Sequence, residues 1–152
     1  MPDLDEVYIK FGEAAEVAQI LETELGNILF SARGKEHDLF SEQNPALARN
    51  ILNRIDKSTL GQLLSQLSPI IESEGDLERV LVEALDARNR LAHSFFREHN
   101  FRRNSEEGRA IMIADLEALH DTLLDAYNAV LALAKIELGA VDLDPPTGHV
   151  PI

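Results

Sequence analysis

Apolar residues recur at three- and four-residue intervals over residues 4 to 30, where Leu4, Val7, Tyr8, Phe11, Ala15, Ala18, Leu25 and Leu29 trace one stripe. The spacing predicts a long first helix that stops around Ser31-Ala32-Arg33-Gly34, followed by a polar connection through Lys35, Glu36, His37 and Asp38. Pro45 is placed to open a short helix carrying Leu47, Ile51 and Ile55, because the fixed φ of proline suits a first helical turn. Ser58 is the expected cap of a second short segment with Leu60, Leu63, Leu64 and Leu67. Pro69 near its end, with Gly75 beyond, separates it from the next helix.

Residues 76 to about 100 read as a second long helix with Leu77, Leu81, Ala84, Leu85, Leu91, Ala92 and Phe95 on one side. Asn104, with Glu107 three residues later, forms the expected cap of a last helix. Its stripe runs through Met112, Ile113, Leu116, Leu119, Leu123, Tyr127, Val130, Leu131 and Ala134 to a stop at Gly139. No alternating strand pattern or repeat intervenes. The expected fold is therefore all-α, an up-and-down helical bundle of three long and two short helices over residues 1–140, with 141–152 as a flexible C-terminal tail.

Two polar residues break these stripes. Arg88 falls near the middle of the apolar face of the second long helix, where an unpaired guanidinium would be very costly to bury. Either a carboxylate pairs with it, Glu22 being the candidate because it interrupts the first stripe in the same way, or Arg88 borders a cleft or subunit interface that receives an anion. His120 sits between Leu116 and Leu123 and reads as a hydrogen-bonded core histidine, or as support for a site. His93 lies across its helix from Phe95 and shares a face with Asn89, so it is expected to be solvent-accessible and free to titrate.

Composition narrows the options. The 152 residues, 45% of them apolar, suit one domain with one core. There is no cysteine, which removes disulfides and thiolate chemistry and agrees with a reducing, cytoplasmic setting. The acidic start, Met1-Pro2-Asp3-Leu4-Asp5-Glu6, is unlike a secretory leader, and no apolar run approaches the roughly 20 residues of a membrane span. His93, Glu98 and His99 do not have the spacing of a zinc-binding helix, so neither a metal nor a cofactor is expected. The formal charge of −13 opposes polyanion binding at long range. Yet Arg88, Arg90, Arg97, Arg102, Arg103 and Arg109 gather six of the chain's 14 basic residues in one short stretch. They form either a local positive patch or the solvated end of a helix.

That stretch contains Leu85-Asp86-Ala87-Arg88-Asn89-Arg90-Leu91-Ala92-His93-Ser94-Phe95-Phe96, which resembles the signature of the HEPN superfamily: an arginine, a polar residue directly after it, and a histidine beyond a gap of four to six residues. Here the gap is four and the polar residue is Asn89. The resemblance implies a helical bundle with the motif in a later long helix, and a metal-independent ribonuclease, often the toxin or effector of a bacterial conflict system and commonly a homodimer. It casts Arg88, Asn89 and His93 as catalytic, with Arg90, Arg97, Arg102 and Arg103 around them to hold RNA. Some members carry a tyrosine two residues after the histidine that a partner antitoxin modifies; Phe95 stands there, so that regulation is not expected.

On a straight helix Arg88 and His93 are about 140° apart, so one phosphate meets both only if the arginine wraps, the helix distorts or a second subunit contributes. The competing reading is a non-catalytic helical interaction protein, such as an antitoxin, an immunity protein or an inactive HEPN scaffold, whose acidic surface engages a protein partner.

Overall fold

The computed structural model describes residues 2–36, 45–71 and 75–139, and within these the protein is all-helical. Helix α1 spans Leu4–Glu36, α2 Pro45–Asp56, α3 Leu60–Ile71 and α4 Leu77–Asn89. A five-residue π turn, Arg90–Ser94, leads into the short α5, Phe95–His99. A 3₁₀ knuckle, Asn100–Asn104, then turns the chain into α6, Glu106–Gly139. The tail expected over 141–152 lies outside the described residues, as does the connection at His37 and Asp38.

Three long elements carry the core. Arg109 reaches Pro2, and Lys10 lies 3.8 Å from Glu117, so α1 and α6 run parallel with their N-termini at one end. Arg88 meets Glu22 while Phe96 meets Tyr8, so α4–α5 descends antiparallel to α1. Helices α2 and α3 pack on the C-terminal half of α1, where the side chain of Ile55 closes on Gly26 and Arg33 bonds Gln66. Val7, Ala14, Ala18, Leu21, Leu25 and Ile28 of α1 are buried against Met112, Leu116, Leu123, Ala126 and Val130 of α6 and Leu81, Ala84 and Phe95 of the descending segment. At about 25 cal/mol per Å² of apolar surface removed from water, these leucines and Phe95 are the main stabilising contacts.

Several expectations need correction. Helix α1 does not stop at Ser31–Gly34 but continues to Glu36. Tyr8, expected in its stripe, is 47% exposed, and Ala14, Leu21 and Ile28 carry the burial instead. The cap of α3 is Thr59 rather than Ser58: the Gln62 amide N–H donates to the Thr59 hydroxyl at 3.3 Å and the Thr59 N–H donates to Gln62 Oε1 at 2.9 Å, a reciprocal capping box. Ser58 instead donates to the Arg54 carbonyl behind it. The cap of α6 is Ser105, whose hydroxyl accepts the Gly108 N–H at 3.0 Å, and Asn104 belongs to the 3₁₀ knuckle. His120 is no core residue: its side chain is 31% exposed and lies 4.0 Å from Asp121 on the surface of α6.

The second long helix is not continuous. The Phe95 amide donates to the Arg90 carbonyl five residues back, which defines the π turn, and Ser94 opens to φ −139°. Leu91, Phe95 and His99 are all buried at four-residue steps, which on a straight α-helix would drift by about 40° per step. A π turn winds more slowly and takes up part of that drift. The helix distorts because these side chains must all face the core.

Candidate functional site

Arg88 leaves α4 one residue before its end, on the side facing α1. Its Nε donates to Glu22 Oε1 at 3.1 Å, and the two side chains are 25% and 26% exposed. Glu22 is thus the carboxylate that offsets the guanidinium, and the pair lines a groove with Phe11, Ala15, Gln19, Leu91 and Ala92. The Nη1 of Arg88 also donates to Asn89 Oδ1 at 3.3 Å, so the guanidinium wraps around its own helix toward the face that carries Asn89. Asn89 and His93 are both exposed. The π turn lies between Arg88 and His93 and narrows the 140° that an α-helix would set between them. Glu22 and Arg88 thus line the groove, with Asn89 joined to them through the Arg88 guanidinium.

The other arginines separate into two kinds. Arg90 is held by carboxylates: Nη1 and Nη2 donate to Asp115 at 3.1 and 2.6 Å in a bidentate fork, and Nε donates to Glu98 at 2.9 Å. Its charge is matched inside the fold, so of the four arginines expected to hold RNA it is the one least able to do so. Among the described residues the remaining three bond only neutral acceptors. Arg97 donates to the His93 carbonyl at 2.6 Å, Arg102 to His99 Nδ1 at 3.0 Å and Arg103 to the Tyr8 hydroxyl at 3.0 Å. Arg109 works as a clip, binding the carbonyls of Pro2 and Arg103 at 2.9 Å each and tying the knuckle to the start of the chain.

Beneath this surface runs a polar chain that the sequence pattern did not reveal. His99 is 5% exposed, its ring packed 4.5 Å from that of Phe95. Its Nε2 lies 2.6 Å from Asp115 Oδ2 while Nδ1 faces Arg102. A guanidinium only donates, so Nδ1 must accept; the ring proton then sits on Nε2 and points at the carboxylate. His99 is accordingly clamped between Asp115 and Arg102. The Arg90 guanidinium holds the Asp115 carboxyl below the usual carboxylate range, against the opposing effect of partial burial, and His99 adds in the same direction. Asp115 in turn raises the Arg90 guanidinium above its already high value. The signal was there in the spacing: His99 continues the four-residue step of Leu91 and Phe95, and Asp115 stands three residues after Met112 and four before Leu119.

Among the described residues no three metal-ligating side chains converge, and no helix is long and apolar enough to cross a membrane. Comparison with protein-family models, curated proteins and solved structures finds no match to this chain.

Proposed function

We propose that the chain is a HEPN-like, metal-independent endoribonuclease of a bacterial toxin or defence system, with Arg88, Asn89 and His93 as its site and a homodimer as its working form. The observation that carries the reading is the bond of the Arg88 guanidinium to Asn89, next to a π turn whose slower winding reduces the angle between Arg88 and the exposed His93. π turns of this kind are frequent at functional sites. In the mechanism, His93 removes the proton of a ribose 2′-hydroxyl, the 2′-oxygen attacks the adjacent phosphorus, and the bond to the 5′-oxygen breaks. The 5′-oxygen takes a proton from the same residue of a second copy, leaving a 2′,3′-cyclic phosphate and a 5′-hydroxyl. Arg88 stabilises the charge that builds on the phosphoryl oxygens, and its Nη2, which has no partner among the described residues, is free to turn to one.

One observation favours a different reading. The Glu22 pair already satisfies Arg88, which is what a catalytically silent scaffold would keep, and an acidic helical protein of this kind would act by binding a basic protein partner. Cleavage of a labelled RNA in EDTA decides between them. The nuclease reading expects His93→Ala to slow cleavage by about 10²- to 10⁴-fold with the fold intact, and Arg88→Ala to lose a comparable factor. Background activity in the wild type and both variants eliminates the enzyme and leaves the binding protein.

A further inference from the structure

Near the C-terminal end of α1, away from Arg109 and Pro2, helices α1, α2 and α3 border a surface groove of about 550 Å³, a volume within the roughly 300–1,000 Å³ of small-molecule sites. Arg33 enters it from α1, Arg54 from the last turn of α2, and Lys57 from the turn that joins α2 to α3. Gln62, Ser65 and Gln66 line it from α3. Among the described residues neither an acid nor an apolar side chain faces this groove. Asp56, directly before Lys57, lines the adjacent groove with Gln19 and Glu22 instead. In a chain of net charge −13, three cations that converge without an acid mark a local preference for an anion.

The arrangement is built. The turn that carries Lys57 is fixed by its own backbone: the Lys57 N–H donates to the Asn53 carbonyl at 3.3 Å, the Ser58 N–H to the Ile55 carbonyl at 2.9 Å, and the Ser58 hydroxyl to the Arg54 carbonyl at 2.8 Å. Arg33 is aimed by a chain of amides. Its Nη2 donates to Gln66 Oε1, Gln66 Nε2 donates to the Gln62 carbonyl at 3.3 Å, and Gln62 Oε1 accepts the Thr59 N–H at 2.9 Å. A neutral amide orients the guanidinium and leaves its charge unmatched. The side chains of Arg54, Lys57 and Ser65 have no partner among the described residues. Arg54 also complements the negative pole at the end of α2, as a cation in a last turn does. That role explains one cation and does not bring Arg33, from another helix, into the same groove.

We infer that this groove is a binding site for a compact oligophosphate, two or three joined phosphates recognised through their oxygens alone. A phosphate carries about −1.5 to −2 charge near neutral pH, so two joined phosphates match three cations in one groove, whereas a carboxylate supplies a single charge. Guanidinium forks take pairs of phosphate oxygens, Lys57 acts as a point charge, and the Ser65 hydroxyl donates to a further oxygen. No aromatic or apolar side chain lines the groove to hold a base, so an inorganic phosphate chain and the phosphate end of a larger molecule meet the same contacts. The site is separate from Arg88, whose partner Glu22 lies about 16 Å before Arg33 along α1 at 1.5 Å per residue.

The test is titration calorimetry of the full chain with inorganic pyrophosphate, at low salt and without divalent metal. The expected result is one saturable site that prefers pyrophosphate to orthophosphate. Arg54→Gln and Lys57→Gln, at exposed positions where the variants should melt like the wild type, should each weaken binding by about tenfold, the weight of one charge-assisted contact. Arg49→Gln, on α2 but outside the groove, and Arg97→Gln, on α5, should bind as the wild type does. A nucleoside diphosphate should bind about as tightly as pyrophosphate. Absence of saturable binding, full affinity in both Arg54→Gln and Lys57→Gln, or an equal loss in Arg49→Gln or Arg97→Gln overturns the site. A nucleoside diphosphate that binds far tighter than pyrophosphate overturns recognition through phosphate alone, and tighter binding of a polyglutamate peptide overturns the proposal by assigning the groove to an acidic protein segment.

Discussion

Replacing Gly108 with alanine adds a single methyl group where α6 crosses closely against the backbone of Arg102. The new carbon would lie 2.1 Å from the Arg102 carbonyl oxygen, 2.6 Å from its Cα and 2.7 Å from its carbonyl carbon, where ordinary contact begins near 3.4 Å. All three atoms are backbone, so no side chain can rotate away and the knuckle must retreat from α6 by about 1 Å. Overpacking of this kind costs about 1–3 kcal/mol. The same retreat strains the Ser105 cap, whose hydroxyl bonds the Gly108 amide itself, a contact worth about 1 kcal/mol. It also draws Arg102 from His99, which leaves a buried imidazole nitrogen short of a donor. A loss of about 3 kcal/mol is expected, and at about 2–4 °C per kcal/mol for a domain of this size Tm should fall by roughly 6–12 °C. Thermal unfolding followed by circular dichroism measures it. A Gly108→Ala protein melting within about 2 °C of the wild type would refute the claim that this crossing fixes the knuckle.

Two further expectations concern the polar chain beneath the surface. Because Asp115 is depressed in the folded state, its contribution is fully present above the unfolded carboxylate value of about 3.9 and is lost as pH falls through the lower folded value. Asp115→Asn should therefore destabilise by about 2 kcal/mol at neutral pH, where Arg90 loses its charged acceptor, and lose less stability than the wild type on acidification below about pH 4; parallel acid limbs in urea titrations would contradict this. For His99, nitrogen chemical shifts should report a protonated Nε2 and a bare Nδ1 at neutral pH, and the opposite tautomer would break the Asp115–His99–Arg102 chain.

Legible and illegible features of the sequence divide along a physical line. Helix existence is implied by the stripes alone, since Leu25, Leu29, Leu116 and Leu123 recur at helical spacing and are buried. The pairing of Arg88 with Glu22 is equally accessible, because each interrupts a stripe and one buried charge calls for another. Caps shift by a single residue, to Thr59 and Ser105, where adjacent polar residues offer the backbone equivalent groups and only tertiary packing selects among them. The π turn is out of reach, because the four-residue steps of Leu91, Phe95 and His99 fit a period near 3.6 as readily as a slower winding. His99 and Asp115 escape for a related reason: read singly, one is a polar residue at the end of a short helix and the other a polar residue within the last helix, and only their meeting across α5 and α6 makes them a pair.

The arginine cluster shows why composition underdetermines a site. Six basic residues in one stretch have the same formal charge wherever they point, yet here Arg88 and Arg90 are matched by acids, Arg109 is absorbed by backbone carbonyls, and Arg97, Arg102 and Arg103 remain open. An ionic partner offsets a guanidinium's field, whereas a carbonyl, an imidazole or a phenol orients it and leaves the charge available. Availability to an anion is thus set by the acids each arginine lacks among the described residues, which leaves Arg97, Arg102 and Arg103 rather than Arg90 to meet one.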